Sequence, residues 1–172
     1  ASPTASLHFT NKLIKDLKIK KVNFINITLH VNGGTFLPIK TENIEDHKMH
    51  SEFGEITKDS ANRINKVKEN GGKIIAVGTT VLRILESSKN SNGQILPFKG
   101  ETKIFLKPGS QINTVDGIIT NFHTPRSSLL LLVFALLGKN KTLELYNYAI
   151  KNRLRFFSYG DACLIWNKHE NL

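Results

Sequence analysis

Hydrophobic residues recur along this chain in two rhythms, and the rhythms divide it into alternating strands and helices. Ile25, Ile27, Leu29 and Val31 alternate strictly with polar neighbours, the period of a half-buried strand, and the stretch ends in Asn32-Gly33-Gly34-Thr35. Lys73–Val77 (KIIAV) is a continuous apolar run of the kind found inside a parallel sheet. Two further strands are predicted at Lys103–Leu106 (KIFL) and Ile118-Ile119, and a last one at Ala162–Trp166. Helical spacing places Leu13, Ile14 and Leu17 on one face of a helix capped by Thr10 and running to about Lys20. Ala61, Ile64 and Val67 mark another, begun at Thr57 or Asp59 and stopped by Gly71-Gly72. Gly78-Thr79-Thr80 turns straight into a helix of about Val81–Ser88. Ser128–Leu137 predicts a buried helix, since its Leu129–Leu137 run is apolar on every side, with Gly138 at its end; Thr142 can cap the next, Leu143–Asn152, with Leu143, Tyr146 and Ile150 inward. Phe36–Ile56 follows no period and reads as irregular. Strands that alternate with helices imply an α/β fold with a mostly parallel sheet flanked by helices.

The pattern also locates chemistry. Ile118–Ser128 (IITNFHTPRSS) passes from a strand end through a polar loop into the buried helix, the geometry in which open α/β sheets place ligands. Pro125 stiffens that loop, and the helix start after it presents backbone N–H groups. Ala76–Thr80 (AVGTT) is a second strand–turn–helix corner, with a glycine and two hydroxyls but neither the lysine of a phosphate-binding P-loop nor a dinucleotide fingerprint. Ser158–Ala162 (SYGDA) is a third polar knot. Arg153, Arg155, Phe156, Phe157 and Tyr159 beside it form a basic–aromatic cluster suited to unstacked nucleotides or, equally, to a closing amphipathic segment. Arg83 and Glu86, three apart, read as an ordinary surface ion pair. His47, His50 and Glu52 have the spacing of a metal pair, yet a zinc site wants three or four ligands, so hydrogen-bonding or substrate-contact roles are preferred and no metal is expected. No Gly-x-Ser-x-Gly elbow exists, which disfavours a serine hydrolase.

Composition narrows the partners. The chain has 172 residues, 40% hydrophobic and 22% charged, enough for one globular domain with its own core. Lys and Arg number 24 against 14 Asp and Glu, a net charge of +10, which favours a polyanionic partner, nucleic acid first. One cysteine, Cys163, leaves no intramolecular disulfide and fits a reducing cytoplasm. The longest apolar run is nine residues, far short of the roughly 20 that span a bilayer, so no membrane association is expected. The chain does not begin with Met, which raises the expectation of a fragment.

Six segments, taken in order, resemble one family: PTASLHFT (Pro3–Thr10), TLHVNGGTFLPI (Thr28–Ile39), HKMHSE (His47–Glu52), GGKIIAVGTT (Gly71–Thr80) with Arg83, Leu85 and Glu86, VDGIITNFHTPRSSLLLLV (Val115–Val133) and RFFSYGDACLI (Arg155–Ile165). The family is the S-adenosylmethionine:tRNA ribosyltransferase-isomerases of queuosine biosynthesis. The chain departs from its pattern at a few places, among them Ser6 for a glycine, Thr124 for a leucine, Arg126 for a lysine and Cys163 for a methionine. The resemblance implies that residues 1–172 are the C-terminal portion of the family's α/β domain, without its N-terminal part and inserted β-barrel.

By the same resemblance the ribosyl moiety of S-adenosylmethionine passes to 7-aminomethyl-7-deazaguanine at the tRNA wobble position. This gives epoxyqueuosine-tRNA, adenine and methionine, in the cytoplasm. S-adenosylmethionine is then a ribosyl donor substrate and tRNA the partner, with a polypeptide carrying the missing N-terminal half as a further candidate partner. His123, Asp161, Glu52 and Tyr159 are the implied candidates for proton transfer. Gly33, Gly34, Thr35, Thr79, Thr80 and Asn121 are candidates for contact with the donor, and Lys107, Arg126 and Arg155 for tRNA. Two other readings stay open: a non-catalytic tRNA-binding module, and an inactive piece of that enzyme.

The expectation joining these residues is spatial. The clusters at Thr79, His123 and Asp161 should meet at carboxyl ends of one sheet around a common cavity.

Overall fold

A computed structural model describes residues 3–31, 33, 38–39 and 41–167. Among these described residues six strands and five helices follow in the order α1 (Asn11–Ile19), β1 (Thr28–His30), β2 (Glu52–Ile56), α2 (Lys58–Glu69), β3 (Ile75–Val77), α3 (Thr79–Ser87), β4 (Phe98–Thr102), β5 (Gly117–Asn121), α4 (Ser128–Leu137), α5 (Lys139–Lys151) and β6 (Ala162–Trp166). A short 3₁₀ turn, Thr4–His8, precedes α1.

The α/β class stands, but the pairing is mixed rather than mostly parallel. The strands form two three-stranded sheets, β1-β2-β4 and β3-β5-β6. The first is antiparallel throughout. In the second, β3 and β5 are parallel, joined through the α3 crossover, while β6 returns antiparallel to β5 with Ile118 opposite Ile165. One hydrophobic core serves both sheets. Ile56 of β2, Ile118 of β5, Ile165 of β6, Leu82 and Ile84 of α3, and Leu132 and Val133 of α4 all belong to it. α3 lies between the sheets, and Ile84 packs over the bare backbone of Gly54 on β2.

Several elements differ from the sequence reading, each for a physical reason. β2 falls in the stretch read as irregular, because its inward positions are Glu52, Gly54 and Ile56 and two of those three are not apolar. The strand expected at Lys103–Leu106 is shifted to Phe98–Thr102, where Gly100 breaks the apolar alternation. Leu106 is buried without joining a ladder. α1 is capped as expected, with Thr10 Oγ1 accepting from Leu13 N at 3.2 Å, yet it buries no residue. α5 begins at Lys139, with Gly138 ending α4 and opening α5, so Thr142 lies inside the helix and donates to Gly138 O at 2.7 Å. Its inward face is Thr142, Tyr146 and Ala149, spaced by four and three, while Leu143 and Ile150 are exposed. Thr57, one of the two starts read for α2, caps it, and α4 begins at Ser128 with the Ser127 side chain as its cap.

Candidate functional site

Two strand–turn–helix corners meet where parallel strands β3 and β5 end. At the first, Gly78 lies at φ +97°, a region costly for residues with a Cβ, and donates its N–H to Ile119 O at 2.8 Å. This bend ties the start of α3 to β5. No side chain caps α3. At the second corner, β5 runs into Phe122–Ser127 and then α4, whose first turn Ser127 Oγ closes by accepting from Leu130 N at 3.1 Å. Between the corners opens a cavity of about 480 Å³, lined among others by Thr79, Thr80 and Arg83 from α3, and by Asn121, His123 and Ser127 from the second corner. A few hundred cubic ångströms suits a nucleoside-sized ligand. Residues of β1 and of the Thr4–His8 turn complete the wall.

His123 is held from two sides. Its Nε2 lies 3.0 Å from Thr120 Oγ1, and its backbone N–H donates to the Tyr146 hydroxyl at 3.0 Å. Tyr146 is itself braced edge-on against Phe122 and Phe156. Burial pushes the His123 imidazole down to about 4, so the ring is neutral at physiological pH. Burial likewise pushes the Tyr146 phenol up to about 12. Asn121 is occupied at both ends of its amide: Oδ1 accepts from Thr4 Oγ1 at 3.2 Å, and Nδ2 donates to Gly160 O at 3.2 Å.

Of the three clusters expected to converge, two do so directly, at Thr79/Thr80 and His123. The third reaches the cavity through Phe157 and Ser158, not through Asp161. Asp161 accepts from the backbone N–H of Arg155 at 2.7 Å and from its guanidinium at 2.9 Å, and those bonds hold its carboxyl below the usual range. Gly160 completes the same turn, where a Cβ would lie 2.3 Å from Arg155 O. Tyr159 is 79% exposed and does not line the cavity. Glu52 is fully buried and pairs with Arg83. Gly33 is exposed, and Gly34 and Thr35 lie outside the described residues.

The three cations proposed for tRNA have distinct settings. Lys107 pairs with Glu45 and sits 5.9 Å from the centre of the Phe105 ring. Arg155 is engaged by Asp161. Arg126 is exposed at φ +56°, its carbonyl accepting from Ile39 N at 2.7 Å, and among the described residues no acidic side chain pairs with it. His47 meets the Phe105 ring edge-on, with centroids 5.2 Å apart.

Arg83 and Glu86 do not form the surface pair that their spacing suggested. Both are buried and face different partners. Glu86 accepts from Thr114 N at 3.0 Å and Thr114 Oγ1 at 2.6 Å and pairs with Lys89. Arg83 pairs with Glu52 on β2, so the cavity wall carries a buried charge that the sequence reading missed. Desolvation lowers the guanidinium's pKa, and Glu52 opposes that shift by charge and hydrogen bonding. The available signal was its position four residues after Thr79, on the same helical face. Tyr146, read as a core residue, was missed for the same site because its hydroxyl acts at a loop distant in sequence.

Residues 1–165 match the family model described as "Queuosine biosynthesis protein". The chain is 50% identical to a Zymomonas mobilis protein named S-adenosylmethionine:tRNA ribosyltransferase-isomerase, over 98% of this chain and 49% of that one. A protein of the same name from Acetivibrio thermocellus is 53% identical over 96% of this chain and 48% of its own length. The crystal structure of an S-adenosylmethionine tRNA ribosyltransferase from Thermotoga maritima superposes with a TM-score of 0.77 at 40% identity, covering 94% of this chain and 51% of that one. The chain thus spans about half the length of the relatives it matches.

Proposed function

Because this chain belongs to the queuosine biosynthesis protein family, we propose that its cavity holds the adenosyl end of S-adenosylmethionine during ribosyl transfer to tRNA in the cytoplasm. The observation that carries the reading is the meeting of two strand–turn–helix corners around a nucleoside-sized space with a tethered, neutral histidine in its wall. In the proposed reaction the ribosyl carbon bonds to the aminomethyl nitrogen of 7-aminomethyl-7-deazaguanine at the wobble position. The bonds from the ribosyl unit to sulfur and to adenine break, and the ribosyl unit closes on itself through a new carbon–carbon bond and an epoxide. Sulfur keeps the electron pair as methionine leaves; of the two protons lost, one from the amine and one from the carbon beside sulfur, one goes out on adenine and the other to solvent.

A neutral His123 suits this donor in two ways. It does not repel a sulfonium cation, as an imidazolium would, and it can exchange a hydrogen bond with adenine as that base departs. A basicity held near 4 fits a hydrogen-bonding and relay role better than abstraction of a proton from carbon. Thr79 and Thr80 offer hydroxyls at the start of α3, and Asn121 fixes the rim by joining the Thr4 turn to Gly160. Asp161 positions the turn that carries Ser158, Tyr159 offers an exposed ring for stacking, and Glu52 acts through its buried pair with Arg83. Lys107, Arg126 and Arg155 are the proposed phosphate contacts, in keeping with a net charge of +10. No metal is invoked.

In this reading residues 1–172 are the C-terminal portion of the α/β domain, and a polypeptide carrying the N-terminal half completes the active unit. The test is incubation with substrate tRNA and adenine-labelled S-adenosylmethionine, with and without that half. Release of labelled adenine with incorporation of ribose into tRNA is the expected result. Retention of tRNA with no adenine release in either arm would support a binding module instead. Such a module is favoured by the exposed Phe157 and Tyr159 beside Arg153 and Arg155.

A further inference from the structure

Arg83 is 3% exposed, yet only one side of its guanidinium is used. Nη1 pairs with Glu52, whereas Nε and Nη2 have no hydrogen-bond partner among the described residues. These two nitrogens form the edge of a guanidinium that receives a carboxylate through two parallel hydrogen bonds. A buried donor left unpaired is costly, and two on one side chain in a cavity wall point to a group that arrives with the ligand. The surroundings favour an anion. α3 has no side-chain cap, its first residues line the same cavity, and Arg83 lies one turn further along the same face as Thr79.

We infer that the Nε–Nη2 edge of Arg83, together with the uncapped start of α3, receives the carboxylate of the donor's amino-acid arm. This rests on the adenosyl reading of the cavity. Both nitrogens are shielded from solvent in the structure, so a ligand group meets them only as the Arg83 side chain turns toward the cavity it lines; a small carboxylate on a flexible arm can follow it there, whereas a phosphodiester belongs to a bulky, hydrated strand. Glu52 neutralises the resting guanidinium, so the ligand's single negative charge makes a carboxylate–guanidinium–carboxylate row that the helix start helps to balance. Arg83 is thus a binding residue that selects, among adenosyl sulfonium and thioether ligands, those with a carboxylate on the arm.

The test compares two ligands that differ only in the carboxylate, S-adenosylhomocysteine and its decarboxylated form, titrated calorimetrically into the chain alone and with the N-terminal half. Wild type is expected to bind the first about tenfold to a hundredfold more tightly. Arg83→Gln, and Glu52→Gln/Arg83→Gln in case the single change unfolds the chain, should bind both equally at the affinity of the decarboxylated form. Near-ultraviolet circular dichroism confirms folding. A double variant that keeps the wild-type preference, or weakens both ligands alike, overturns the inference and leaves the adenosyl site standing. Equal binding by wild type, with tRNA retention lost in the Arg83 variants, would reassign the edge to a phosphate and also overturn it. If neither ligand binds wild type in either arm, the proposed function fails and this inference with it.

Discussion

Replacing His123 by glutamine should remove a measurable part of this protein's pH dependence of stability. Burial holds the His123 pKa at about 4 in the folded chain, against 6.5 for an ordinary imidazole. Between those values the unfolded chain carries a proton that the folded chain refuses. Stability is therefore full above pH 6.5 and falls as the pH drops toward 4. With the two values above, linkage gives a loss from this group of about 2 kcal/mol at pH 5 and a ceiling of roughly 3 kcal/mol below pH 4. Urea denaturation at pH 8 and pH 5 on wild type and His123→Gln measures it. Other titrating groups are common to both proteins, so the wild-type drop should exceed the variant's by about 2 kcal/mol. Parallel stability curves would show that His123 takes up its proton in the fold as readily as in the open chain. The neutral ring assigned to the cavity wall would then be wrong.

Three further outcomes follow from the packing. Arg83→Ala should destabilise by about 3–5 kcal/mol because it removes the cation that faces the buried Glu52 carboxylate, while Glu52→Leu/Arg83→Met should cost far less; equilibrium unfolding compares them. Ser127→Ala removes the acceptor for Leu130 N at the start of α4 and should cost about 1 kcal/mol, read by calorimetry as a lowered Tm. Gly160→Ala places a methyl 2.3 Å from Arg155 O and should cost about 1–3 kcal/mol, with faster proteolysis at the 155–160 turn as that backbone shifts.

The elements carrying the cavity were the most legible ones. Ile118–Leu137 announces a strand, a polar loop and a buried helix because each part has an uninterrupted pattern, and β5, the loop and α4 lie there. Gly78-Thr79-Thr80 was equally plain, since a glycine between an apolar strand and a helical pattern has few alternatives. β2 and β4 were hidden because their sheet has an ionic and glycine-rich interior: Glu52 and Gly54 occupy places where alternation would show apolar residues. Arg83 was unreadable for the same reason. An arginine is buried only with a partner, and Glu52 comes from another strand far earlier in the chain. Asp161 was legible as a polar knot but not as the brace of its own turn, because that depends on a hydrogen-bond direction that residue type does not encode.

The Asn121 amide has a consequence for how the molecule matures. It joins Thr4, 117 positions upstream, to Gly160, 39 positions downstream, whereas no described residue before Ile25 belongs to the hydrophobic cluster that holds the sheets and helices together. The interior can therefore assemble without the Thr4 turn, whereas the cavity wall is complete only once that turn and Gly160 are joined at Asn121. Trimming the first few residues would leave a molecule that melts cooperatively and has a normal spectrum, yet presents an open trough instead of a chamber.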